Sequence, residues 1–172
     1  MLFENLWKGH RAIREIVERA EAYSHQLGDD KIHAEHLLLA ALDLPGGAAR
    51  RAFERAGADP AAAADAVRWT HATALRKVGV EPVPEAALTD PLDISSTRTL
   101  RGQFGESGKQ VFTLAAAKAK LTRTRAVDLH ILDAVGDLRE GTAARALREL
   151  GVAPGAIHAA VLDELAALDR AA

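Results

Sequence analysis

A chain of 172 residues with 22 Lys+Arg, 24 Asp+Glu and no Cys has room for one domain or two small ones. It can form neither a disulfide framework, nor a thiolate metal site, nor a thiol nucleophile. A net charge of −2 and a pI near 6.4 exclude a broad cationic footprint for nucleic acid. The 37 Ala against seven aromatics favour helix, because Ala loses no side-chain entropy there and strands draw on β-branched and aromatic residues. The first periodic segment runs from about Gly9 to Gln26, with Ile13, Ile16, Val17, Ala20 and Leu27 at helical spacing, and Gly28-Asp29-Asp30 breaks it. A second helix starts near His33, and its run Leu37 to Leu42 is apolar on every side, the pattern of a buried helix. After the turn Pro45-Gly46-Gly47, a short third helix ends at Gly57. Asp59-Pro60 then combines an N-cap acid with Pro at the first helical position of a fourth helix reaching Lys77. From Gly79 to Thr97 the periodicity lapses, and it resumes near Glu106.

Sliding the chain on itself by 94 residues aligns 36–60 with 130–154 without a gap. Eleven pairs are identical, among them His36/His130, Gly47/Gly141, Gly57/Gly151 and Pro60/Pro154. The glycine pairs fall at helix boundaries and the Pro pair at a helix start. The expected fold is therefore all-α: a tandem repeat of two four-helix units packed with pseudo-two-fold symmetry. It forms a single domain over 1–172, with repeat 1 at 1–78, a linker at 79–97 and repeat 2 at 98–172. Packing two such units buries their second helices and leaves a groove between the copies, where ligand sites commonly form.

Motifs for chemistry are sparse. The segment 102–110, GQFGESGKQ, resembles a phosphate-binding loop, but Gly102 is one position too far upstream. Gln110 replaces the hydroxyl and no strand precedes the segment, so it reads as a flexible lead-in to a helix. His33 and His36 are three apart with Glu35 between them and His25 upstream, which departs from the zincin spacing. A zinc site from His25, His33 and His36 is the metal alternative. The recurrence of His36 and His130 at the start of a buried helix reads instead as structural, a ring nitrogen bonding a backbone group. No Ser-His-Asp set or carboxylate pair stands out. No uncharged apolar run reaches the ~18 residues of a membrane span, and MLFENLWKGHR lacks the apolar stretch of a signal peptide. A soluble, cytoplasmic protein is expected.

Glu35-His36-Leu37-Leu38-Leu39-Ala40-Ala41-Leu42, followed by Gly47-Ala48-Ala49-Arg50-Arg51-Ala52 and Gly57, resembles the N-terminal (Clp R) domain of the Clp-type AAA+ unfoldases. The second copy, His130-Ile131-Leu132, then Gly141 to Leu147 and Leu150-Gly151, resembles it again. The resemblance implies two four-helix repeats, and a binding module without catalysis or cofactor that receives protein or peptide substrates and adaptors. With no Walker motif in the chain, it reads as a stand-alone adaptor or decoy acting with Clp protease components or their substrates. In the ClpC branch the domain recognises phosphoarginine through the Glu of each Thr-Glu-His motif. Glu35 matches the first of these, Leu129 stands at the second, and the motif Thr is Ala34 in one copy and Asp128 in the other. Phe3 matches a family residue lining an apolar site between the repeats. The expected ligand-binding positions are thus Glu35, Phe3 and Leu129, with His36, His130, Gly47 and Gly141 as the structural repeat motif. A small-molecule-sequestering protein using the same groove, and a His-based metal enzyme, are the alternatives.

Overall fold

The computed structural model describes residues 11–82 and 104–171. They form eight helices: α1 (Arg11–Leu27), α2 (Ala34–Leu42), α3 (Ala48–Arg55), α4 (Pro60–Lys77), α5 (Glu106–Thr122), α6 (Val127–Gly136), α7 (Thr142–Glu149) and α8 (Ala156–Ala171). Among the described residues there is no strand, only a single parallel bridge between Ile32 and Phe104. Phe3, Leu6, Trp7 and the linker beyond residue 82 lie outside the described residues.

The two four-helix units match element for element. Every residue of α2 is buried, as are Val127 to Val135 of α6, and these two helices pack on each other at the centre. Burying an aliphatic side chain contributes about 1.5–3 kcal/mol, so Leu37, Leu38, Ile131 and Leu132, all fully buried, anchor the domain. The repeated glycines close α3 and α7 in the same way. Gly57 (φ 90°) and Gly151 (φ 72°) occupy the left-handed region and donate to Glu54 and Arg148, while Ala58 and Val152 reach back to the carbonyls of Phe53 and Leu147. This is the double hydrogen bond of a Schellman cap, which satisfies carbonyls that the helix end would orphan. Asp59 caps α4 by accepting from the Ala61 amide at 2.8 Å. Its counterpart behaves differently, for Pro154 sits in the turn two residues before α8 rather than at a first helical position.

The fourth helices cross over. α4 packs on α7 of the other repeat and α8 packs on α3, so each unit completes its partner. Polar contacts follow the same path. Glu164 of α8, 3% exposed, accepts from Arg51 Nε at 3.0 Å and Arg55 Nη2 at 2.9 Å on α3.

From Phe104 onward the glycine-rich segment is fixed in place rather than a flexible lead-in. Gly105 donates to the Ile32 carbonyl at 2.9 Å and Gly108 lies in the first turns of α5. A Cβ at Gly108 would overlap that same carbonyl. The glycines let α5 approach the α1–α2 loop, which accounts for a pattern that otherwise suggests phosphate binding.

Candidate functional site

His36 opens the second helix with no exposed surface. Its Nδ1 accepts from the His33 amide at 2.9 Å, so the ring proton of the neutral form sits on Nε2. That nitrogen faces Asp29 Oδ2 at 3.2 Å, an ion-pair contact whose angle falls short of a well-formed hydrogen bond, and neither buried atom makes another hydrogen bond. The backbone bond expected of this histidine is therefore present, and the ring also aims at the carboxylate of Asp29 in the preceding turn. His130 makes the equivalent turn with different chemistry: its Nε2 meets Thr124 Oγ1 at 2.7 Å and Thr122 Oγ1 at 3.3 Å.

Glu35 is 6% exposed on the first turn of α2. Ligand atoms of Asp29, Glu35 and His71 lie within 4.8 Å of one another, and His71 Nδ1 is 3.7 Å from Asp29 Oδ2. Burial pushes the Asp29 carboxyl up, but His36, His71 and His33 together outweigh it and hold the group below the ordinary carboxylate range. The His25, His33 and His36 set does not converge. His25 is exposed near the end of α1, and His33 Nδ1 turns to Ser107 Oγ at 3.3 Å. The cluster that forms takes its histidine from α4, 35 positions after His36, and no local spacing in the sequence signals it.

Leu129, the counterpart of Glu35, is fully buried and presents core packing rather than a surface. Gly47 and Gly141 stand at the N-caps of α3 and α7. Two of the clefts lined by described residues lie elsewhere. One, of about 470 Å³, opens between α6, α7 and α8, with Leu138, Leu147, Val152 and Ile157 toward its floor and Arg139, Arg148 and His158 among its charged lining. It exists because α8 leans on α3 and α6 rather than on α7. The other, about 170 Å³, lies between the repeats at α4 and α7 beside Trp69, which is 57% exposed. His158 on the larger cleft is held by Asp133 at 2.9 Å, and Asp133 in turn accepts from Lys118 Nζ at 2.8 Å.

The Clp repeat (R) N-terminal domain family matches residues 10–128, more than half of the chain. The chain belongs to that family. The likeness extends to the whole fold: the crystal structure of the N-terminal domain of the caseinolytic protease associated chaperone ClpD from Arabidopsis thaliana aligns over 96% of this chain and 97% of that one. Its TM-score is 0.59 at 20% identity, which fixes the Clp repeat architecture. No curated protein matches. The all-α double repeat expected of a Clp repeat domain is thus present. No helix among the described residues is long and apolar enough to cross a membrane.

Proposed function

We propose that this Clp repeat domain is a non-catalytic binding module for peptide segments of proteins bound for regulated proteolysis or chaperoning, serving as adaptor or decoy. The observation that supports this reading is the cleft between α6, α7 and α8, which lies within repeat 2 rather than in the groove expected between the copies. Its volume of about 470 Å³ is in the range of sites that take a small molecule or one or two anchor side chains, ~300–1,000 Å³. Leu138, Leu147, Val152 and Ile157 offer an apolar seat, and Arg139 and Arg148 flank it with guanidinium donors, which suit the carbonyls and carboxylates of an extended peptide. Phosphoarginine recognition would run through Glu35 alone, and the neighbouring Asp29 carboxylate repels a phosphoryl group.

Titration of a ¹⁵N-labelled sample with a permanently unfolded, carboxymethylated polypeptide tests the proposal. Amide shifts concentrated in 136–158, abolished in a folded Leu138→Asp variant, are the expected result. Shifts that avoid this cleft, or none at all, would overturn it. A small molecule retained in native mass spectrometry and displaced by Leu138→Asp would favour a sequestering role, in this cleft rather than in the inter-repeat groove expected for it.

A further inference from the structure

The group formed by Asp29, Glu35 and His71 shares no residue with the cleft assigned to peptides, and peptide binding in that cleft does not use it. We propose that these three side chains form a divalent transition-metal site, fitted to Zn²⁺, that ties the α1–α2 loop and the first turn of α2 to α4.

Several features of the structure carry this assignment. Two carboxylates and one imidazole, with ligand atoms within 4.8 Å of one another, make an oxygen-and-nitrogen donor set suited to Zn²⁺ and its neighbours in the first transition row. Tetrahedral ligands at about 2.0–2.1 Å from zinc stand about 3.3–3.4 Å apart. The 3.7 Å between Asp29 Oδ2 and His71 Nδ1 is too long for a hydrogen bond and close to that spacing. Asp29 Oδ2 is buried without a hydrogen-bond partner, and among the described residues Glu35 makes neither a hydrogen bond nor an ion pair although it is 6% exposed. A buried carboxylate oxygen without a well-formed hydrogen bond is costly, and a bound cation would complete the histidine contacts of Asp29 and give Glu35 its partner.

His36 supplies the independent pointer. With no exposed surface and no well-formed hydrogen bond at Nε2, it aims at Asp29 Oδ2 from 3.2 Å. Because Nδ1 is occupied by the His33 amide, Nε2 carries a proton and cannot ligate. It serves as a positioning residue that orients a ligand carboxylate from behind, as outer-shell partners of metal sites do.

The second repeat is an internal control. At the 94-residue offset Glu35 becomes Leu129 and His71 becomes Leu165, both buried in the core. The alignment holds along the fourth helices, where Ala63, Val67 and Thr70 are buried and so are Ile157, Val161 and Glu164. The loop that brings Asp29, residues 28–33, shortens to 123–126. The fold therefore does not require polar groups at the Glu35 and His71 positions; one copy has them and the other has leucines.

Zn²⁺ itself is the probe, added to the full chain at neutral pH against a chromophoric chelator. One ion per chain is expected, with affinity about tenfold or more weaker in Asp29→Asn, Glu35→Gln and His71→Ala, about 10–100-fold weaker in His36→Asn, and unchanged in His25→Ala. The imidazole ¹⁵N resonances of the unmodified protein give a readout free of folding effects: Zn²⁺ should move the His71 ring and leave His25 in place. No binding below millimolar Zn²⁺, an unmoved His71 ring, or full affinity in folded His71→Ala would each overturn the site.

Discussion

The Asp128 carboxylate accepts the Ala49 amide at 3.0 Å across the boundary between the repeats. Asp128 belongs to the first turn of α6 and Ala49 to the first turn of α3. The N-cap of α3 is Gly47, which has no side chain to offer, so the other repeat supplies the cap. A carboxylate at a helix N-terminus also meets the positive end of the helix dipole. Asp128→Ala should cost about 1–2 kcal/mol, lowering the melting temperature by about 2–8 °C. Asp128→Asn, which keeps an acceptor, should lose less in the same thermal melt.

Gly108→Ala should be more damaging than an exposed helical Gly→Ala change, which ordinarily stabilises. The added methyl meets the Ile32 backbone carbonyl, which cannot swing aside as a side chain would. α5 would have to back away from the α1–α2 loop. We expect a loss of about 1–3 kcal/mol, the usual cost of overpacking, read as a lower urea midpoint with an unchanged slope.

Lys118 joins Asp133 at 2.8 Å and Asp137 at 2.9 Å. Burial alone would push its ammonium pKa down, but the two carboxylates outweigh that and raise it. Asp133 has a side chain only 6% exposed, so Lys118→Met leaves a nearly buried carboxylate with His158 alone. The expected loss is about 1–3 kcal/mol by denaturant unfolding. Lys118→Met with Asp133→Leu should recover part of it, because removing both partners avoids the unpaired charge.

Burial holds the His130 imidazole below its ordinary range, against the opposing pull of Asp133 and Asp128. The unfolded chain therefore binds more protons than the folded one between the two pKa values, and stability rises with pH there. Acidification through about pH 6.5, the unfolded value, should weaken the domain, and the loss should level off below the folded pKa. Urea midpoints compared for the unmodified chain and His130→Gln across this range provide the check: the variant should show a shallower acid slope.

The helices were legible because their signals are local. Asp59-Pro60, the repeated glycines and the all-apolar run from Leu37 to Leu42 each act within a few residues, and they place α2, α3 and α4 close to their observed bounds. The self-alignment of His36 with His130 carried the double repeat. The site was only half legible. Glu35 stood out through resemblance, but its neighbours depend on a loop that folds Asp29 back under His36 and on the path of α4, which delivers His71. Those are tertiary facts with no periodicity of their own. Gly105 and Gly108 were illegible for the same reason: the phosphate-loop pattern fails on its spacing, but nothing local shows that close backbone approach is what requires glycine there.

Crossed packing of α4 on α7 and of α8 on α3 is the geometry of an isologous homodimer whose two subunits have been joined end to end. A single unit severed from its twin would expose the apolar faces of its second and fourth helices, so neither half is expected to persist as a monomer, and co-expressed halves should reassemble. Fusion also frees the subunits from identity. In a true homodimer any change falls on both sides of the axis at once; here one side can carry Glu35 and His71 while the other fills the equivalent positions with Leu129 and Leu165. The covalent link is what permits an asymmetric domain to be built on a symmetric frame.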